Sequence, residues 1–398
     1  MTLPDTCDVL IVGGGPAGLS VAERVAAAGA SVVVVHQDRE IGRPVRTSGG
    51  SFQADLTRLG VPSTLYQPID TLEFVADTAR SSHQMTRHGM AVLDVTGLYQ
   101  WLAQKARAAG ATVATSTKFT GLDQNGDGYV ATVRARGAAP APIAARFVID
   151  ASGVASAVWA AAGLGTRPAR TGIGIEAEYT LVDGPRHTAV LVVGSRVPAG
   201  YGWVFPAPHG TVRIGAGVIQ PDVDLSPRDL LDAMITPDFL RDHGLTLGAL
   251  QHTNAGIIPS VPYETRLVSG GLVRTGDAAN FATPTVGEGI RIAIERGHVL
   301  GDALAATLAG AGRAPLAAYE RSCARAFRRD YAIGIMANRR LARYGPSDWD
   351  RSVTRLARFD QDTVAALVRS EFRGRALWHT ARREIQHRIA RTFGGNST

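Results

Sequence analysis

Residues 9–12 are four consecutive apolar positions, the run of a strand buried on both faces, and residues 17–28 read as the helix that follows it, stopped by Gly29. Residues 31–35 are again β-branched, so residues 8–36 form one βαβ unit. Residues 51–59 predict a helix ended by Gly60, residues 72–79 and 85–93 a strand pair, and residues 97–109 a helix with Leu98, Trp101, Leu102 and Ala106 on one side. Residues 113–116, 129–136 and 147–149 then alternate as strands, with the turn Asn125-Gly126-Asp127-Gly128 between them. From residue 174 to 217 the pattern is strand-rich once more, at 175–181, 189–193, 202–205 and 212–218, which predicts a second sheet. A helix starts with Ser226 as N-cap and Pro227 in its first position. A short strand at 272–275, a helix at 289–308 and helical sequence after Pro315 complete the chain.

The turn between the first strand and helix is Gly13-Gly14-Gly15-Pro16-Ala17-Gly18. Glycines there let a dinucleotide pyrophosphate approach bare backbone, and the helix N-terminus presents unpaired N–H groups to it. A strand before and a helix after give the motif its required context. Gly13, Gly15, Pro16, Ala17 and Gly18 are therefore expected against a cofactor. A carboxylate usually holds the adenosine ribose ~20 residues further on; here His36 and Gln37 stand at the end of the second strand, with Asp38 next.

Composition narrows the classes. A chain of 398 residues allows two or three domains at roughly 150 residues each. Two cysteines, Cys7 and Cys323, exclude a disulfide framework and a cysteine-ligated iron–sulfur cluster, and no metal site is expected. No stretch reaches the ~20 apolar residues of a membrane span, and the N-terminus lacks a charged leader, so the expected location is cytoplasmic. The net charge of +7 is uneven: residues 313–398 hold 18 Arg, no Lys and 8 Asp plus Glu, a surplus of +10, which leaves −3 for the rest. In that tail Trp378, Ala381, Ile385, Ile389 and Phe393 recur at helical spacing among arginines, so residues 375–393 predict weak association with a membrane surface. Without a nucleic-acid motif, no nucleic-acid partner is expected, and no oligomeric state is assigned.

A second motif runs Thr275-Gly276-Asp277-Ala278-Ala279-Asn280 and on through Pro284-Thr285-Val286-Gly287-Glu288-Gly289-Ile290. A carboxylate after a strand can accept hydrogen bonds from sugar-alcohol hydroxyls, the glycines admit a flat ring, and the helix start favours negative charge on it. Together with the first glycine turn, this motif resembles the FAD-binding proteins of the p-hydroxybenzoate hydroxylase fold, over residues 1–310. Phe147-Val148-Ile149-Asp150-Ala151-Ser152-Gly153 looks like that fold's middle signature, with Ser152 and Gly153 beside the cofactor. The resemblance implies an α/β fold with an α+β second domain: a Rossmann-type FAD-binding domain from 1–68, 94–172 and 269–312, a mixed-sheet substrate domain from 69–93 and 173–268, and a C-terminal helical region from 313. It places Gly276, Asp277, Pro284, Gly287, Gly289, Ile290 and Arg46 at the cofactor.

Tyr201-Gly202-Trp203-Val204-Phe205-Pro206, followed by Gly215-Ala216-Gly217, is similar to the YxWxFP…GxG pattern of the geranylgeranyl reductase family. The resemblance implies that Tyr201, Trp203 and Phe205 line a substrate tunnel near the flavin, with Thr47 beside them; period-two alternation fits an aromatic core face equally well. Three positions depart from that family: His36-Gln37 replace an acidic strand end, Thr47 stands where many relatives have cysteine, and Val95-Thr96 stand where an arginine commonly opens a helix. The implied activity is reduction of carbon–carbon double bonds in an apolar, isoprenoid-like substrate by hydride from reduced FAD, with Tyr201, Trp203 and Glu288 the candidate catalytic residues. No second GxGxxG follows a strand, so NAD(P)H is expected as a transient reductant. A monooxygenase of an aromatic or polyketide-like molecule and a non-redox cyclase of a polyene remain alternatives on the same fold.

Overall fold

The structure, a computed structural model, describes residues 3–372. Its largest sheet has five parallel strands in the order Leu272–Arg274, Ala141–Asp150, Thr6–Val12, Val32–Val35 and Thr112–Ala114. Thr6–Val12 sits in the middle, which is why its apolar run is continuous rather than alternating. The helix Pro16–Ala27 returns over the sheet and packs against Ile290–Ala306. Gly297 makes that crossing close: a Cβ there would fall 2.8 Å from the Ala17 carbonyl oxygen.

The second sheet has seven strands, ordered Thr246–Pro259, Thr171–Asp183, Thr211–Gln220, Val197–Ala207, Thr188–Gly194, Thr71–Val75 and Arg80–Gln84. It is mixed, because Thr188–Gly194 pairs parallel with Thr71–Val75 while the other pairs are antiparallel. Three helices, Ala314–Leu341, Pro346–Leu356 and Gln361–Val368, follow the FAD-type sheet in sequence. Val364, Ala365 and Val368 pack into one cluster with Phe52, Leu72 and Trp203, so the C-terminal helices roof the aromatic face of the second sheet.

Several expectations change. The strand pair expected from 72–79 and 85–93 is divided: Thr71–Val75 pairs with Arg80–Gln84, whereas Met90–Leu93 joins Gly50–Phe52 and Tyr66–Ile69 in a third sheet of three strands. The helix expected at 51–59 begins only at Gln53, because residues 50–52 are claimed by that small sheet. Among the strands with no counterpart in the pattern are Thr117–Asn125 and the long edge strand Thr246–Pro259. The edge strand is exposed along much of its length, so its polar residues obey no alternation. Residues 375–393 lie outside the described residues. Among the described residues, no helix is long and apolar enough to cross a membrane.

Candidate active site

Two long helices start at the site without a side-chain cap: Pro16–Ala27 after Gly15 and Ile290–Ala306 after Gly289. Helices beginning at Val95, Pro227, Pro237 and Gln361 are each capped by a side-chain oxygen, from Asp94, Ser226, Thr236 and Asp360. The open helix ends leave backbone donors for an anionic ligand. At the first of them Gly13 has φ +119°, and a Cβ there would lie 2.1 Å from the Ala151 oxygen. Gly18 is as constrained, with the Gly13 oxygen 2.1 Å from its hypothetical Cβ. Gly15 is different: its Cβ would meet nothing within 4 Å. Gly13 and Gly18 shape the turn, and Gly15 leaves space beside it. Pro16 occupies the first helical turn, and Ala17 is buried.

His36 is turned back across the glycine turn. Its Nδ1 accepts from the Gly14 N–H at 3.3 Å, and its Nε2 lies 3.5 Å from Asp38. Burial lowers the imidazole pKa and Arg46 adds to this, while Asp38 opposes it. Arg46 holds Asp38 with both arms, at 2.8 and 3.2 Å. Gln37 is exposed. Asp150, fully buried, binds the Ser152 N–H and hydroxyl, the Ser156 hydroxyl and the Trp159 N–H, so it braces the turn that carries Ser152 and Gly153. Where an arginine was missing, Asp94 caps the helix and the Thr96 hydroxyl ties it to the Gly42 carbonyl.

Gly276, with φ +61°, turns the chain into Asp277. Burial pushes the Asp277 carboxyl up to about 6 against a hydrogen bond from the Ala282 backbone. Donors from a polyol would restore its ionised form. The loop that follows is held by side chains from three elements: Asn338 donates to the Pro284 carbonyl at 2.9 Å, Tyr201 to the Val286 carbonyl at 2.5 Å, and Thr285 shares a hydrogen bond with Ser370. Gly287 has φ +72° and donates its N–H to the Thr283 carbonyl. Glu288 is buried in a two-armed pair with Arg291, at 3.0 and 2.8 Å, and does not line the cavity described next. Ile290 opens the long helix with its side chain buried.

A cavity of about 500 Å³ extends from Arg46, Thr47 and Ser48 and the Thr283–Gly287 loop across Tyr201 and Trp203 to the C-terminal helices. Its far wall includes Leu341, Leu356, Leu367 and Val368. Tyr201, Trp203 and Phe205 project from the same strand face, with ring centroids 5.7 and 6.4 Å apart. Tyr201 and Trp203 line the cavity; Phe205 sits behind them, near Gly50. The Gly215-Ala216-Gly217 motif seats the indole: a Cβ on Gly215 would lie 2.3 Å from Trp203, and one on Gly217 3.5 Å from it. Burial raises the Tyr201 hydroxyl to about 12.

Sequence reasoning missed Glu176. It is buried on the cavity wall, where the Trp203 indole N–H donates to it at 3.0 Å and Asn254 at 3.2 Å. Its strand face reads Gly172, Gly174, Glu176, Glu178; an acid placed on a face of glycines was the available signal.

These features define a dinucleotide-binding flavoprotein with an attached apolar reaction chamber. The FAD binding domain family model matches residues 6–330, and the chain belongs to that family and, within it, to the geranylgeranyl reductase family of FAD-dependent oxidoreductases. A digeranylgeranylglycerophospholipid reductase of Methanothrix thermoacetophila is 30% identical over 333 residues, covering 79% of this chain and 82% of the relative. The crystal structure of a geranylgeranyl bacteriochlorophyll reductase-like protein from Thermoplasma acidophilum superposes with a TM-score of 0.82 at 23% identity, over 93% of this chain and 96% of that one. A p-nitrophenol 4-monooxygenase from Pseudomonas putida shares the fold with a TM-score of 0.73 at 17% identity, over 92% and 99% of the two chains.

Proposed function

We propose that this protein uses FAD to reduce carbon–carbon double bonds in an isoprenoid or similarly apolar chain. The observation that carries the reading is the apolar cavity between the Thr283–Gly287 loop and the C-terminal helices, continuous with the segment Arg46–Ser48. The open helix starts at Gly15 and Gly289, the free space at Gly15 and the buried Asp277 carboxyl fit FAD. Gly15 and the helix behind it would hold the pyrophosphate, Asp277 the ribitol hydroxyls, and the Pro284–Gly289 backbone the ring. Bound there, FAD supplies hydride chemistry, and the protein supplies position and exclusion of water.

Tyr201 and Trp203 would guide the substrate, with Phe205 fixing their angle from behind. Tyr201 also fixes the Thr283–Gly287 loop through its bond to Val286. NAD(P)H docking transiently from outside is the proposed reductant. The monooxygenase alternative predicts a different co-substrate, so the test is anaerobic. Purified FAD-loaded protein, reduced by dithionite under nitrogen, should saturate double bonds of geranylgeraniol and reoxidise its flavin in doing so. Product that forms only in air, with oxygen incorporated, would assign the monooxygenase reading instead.

A further inference from the structure

Reducing an alkene takes a hydride at one carbon and a proton at its neighbour, and of the candidate catalytic residues named above, Tyr201 and Glu288 are engaged elsewhere. The Tyr201 hydroxyl donates a hydrogen bond to the Val286 carbonyl, and Glu288 faces Arg291 away from the cavity. Glu176 is the carboxyl that lines the cavity. Strand register puts it there, opposite Gly215 on one side and Asn254 on the other. Two residues along, the Gly174–Gly256 pair meets the segment expected beside the flavin: a Cβ on Gly256 would lie 1.9 Å from the Arg46 oxygen. Two strand residues span about 6.6 Å, so Glu176 stands within side-chain reach of that segment.

Burial first, and the neighbouring Glu178 carboxylate after it, favour a proton on this group against the pull of Arg213. Arg213 lies 3.9 Å from Glu176 but 3.0 Å from Glu178, and its Nη1 is committed to the Ser48 and Leu93 carbonyls. Glu178 also accepts from the Thr211 hydroxyl at 2.6 Å. Two carboxylates therefore share one guanidinium, and Glu178 holds the better part of it. Ionising both would bury a net negative charge beside apolar walls, and one retained proton removes it. Burial acts the same way, pushing Glu176 up.

The geometry points to Glu176 as the acid that delivers the proton in alkene reduction, an inference that rests on the reductase reading above. One alkene carbon receives hydride from reduced FAD; as the π bond breaks, the Glu176 O–H gives its proton to the neighbouring carbon. The alkene gains two hydrogens, the flavin loses two electrons, and Glu176 is left as a carboxylate that water reprotonates. The Trp203 N–H and the Asn254 amide, already donating to its two oxygens, stabilise that carboxylate.

Glu176→Gln preserves the size of the side chain and one of its two accepting oxygens while removing the acid. Dithionite-reduced wild type and E176Q are mixed with geranylgeraniol under nitrogen, and flavin reoxidation is followed. The variant should reoxidise about 100- to 10,000-fold more slowly, with unchanged flavin content, unchanged rate of flavin reduction and unchanged quenching of tryptophan fluorescence by geranylgeraniol. Glu176→Asp should recover part of the rate. Independently of turnover, the infrared spectrum of wild type at neutral pH should contain a protonated-carboxyl band that E176Q lacks. Equal reoxidation rates overturn the assignment, as does a spectrum in which no such band is lost. If E176Q loses its flavin, E176D and the infrared band decide. A wild type that leaves geranylgeraniol untouched overturns the reductase reading and the proton-delivery role with it.

Discussion

Glycine does three separate jobs in this protein, and substitution separates them. Gly13 and Gly18 are hemmed in by backbone, so side chains there disturb the fold itself. Gly15 has open space and extended backbone geometry, φ −85° and ψ 179°, which any residue adopts. Gly15→Val should leave thermal stability of the flavin-free protein unchanged and abolish FAD binding, read as loss of yellow colour after purification and of tight titration by added FAD. Gly215 is reserved for the Trp203 indole. Gly215→Ala should keep FAD, shift tryptophan fluorescence and raise KM for an apolar alkene, because the indole must move into the chamber. The glycine motif was legible in the sequence because its chemistry is written as spacing. The purpose of Gly215-Ala216-Gly217 was not, since it depends on a neighbouring strand delivering an indole. Glu176 was hidden for the same reason: its importance comes from Asn254, Trp203 and Arg213, which lie on three other strands.

At the scale of elements, the helix Pro16–Ala27 is tied to its neighbours through one carboxylate. Glu23 lies 2.8 Å from Lys105 on the helix Val95–Ala108 and 3.6 Å from His298 on Ile290–Ala306. Burial opposes its ionisation, but His298 and Lys105 outweigh it and bring the group from 4.5 to about 2. A depressed folded pKa contributes stability that is complete above the unfolded value and lost as pH falls through the folded one. Glu23→Gln should therefore lower Tm at neutral pH and flatten its decline between 4.5 and about 2, measured by thermal unfolding against pH. Elements with a continuous apolar run or a periodic apolar face were readable from the sequence, as the five parallel strands and the helix at Ile290–Ala306 respectively illustrate. Those whose partners set their form were not. Met90–Leu93 is buried throughout and carries no alternation to say which strand it joins. Thr246–Pro259 pairs along one edge only, and its outward residues are free to be polar.

For the whole molecule, the decisive arrangement is a chamber with one wall from the second sheet, one from the Thr283–Gly287 loop and a roof from the last helices described. Leu341 and Leu356 stand in that roof. Leu341→Trp should shorten the chamber without touching the Thr283–Gly287 loop. The expected result is unchanged FAD content with activity shifted from geranylgeraniol toward geraniol, read as the ratio of kcat/KM for the two alcohols. Arg170 helps hold the roof down, reaching Asp222 and Ser260 on the sheet side and Asn338 on the helix.

That roof has a consequence for how the protein comes into being. Strands of the second sheet are finished at Pro259, whereas the helix ending at Val368 is made more than 100 residues later. At translation speeds of about 5–20 residues per second, the interval is roughly 5–20 s. For that time the nascent chain carries Trp203 and its aromatic neighbours uncovered while still tethered to the ribosome. A chaperone that shields aromatic surface, or the greasy substrate arriving early, would meet the protein in this window, and synthesis stalled before residue 341 should leave a chain that aggregates rather than one that merely lacks activity.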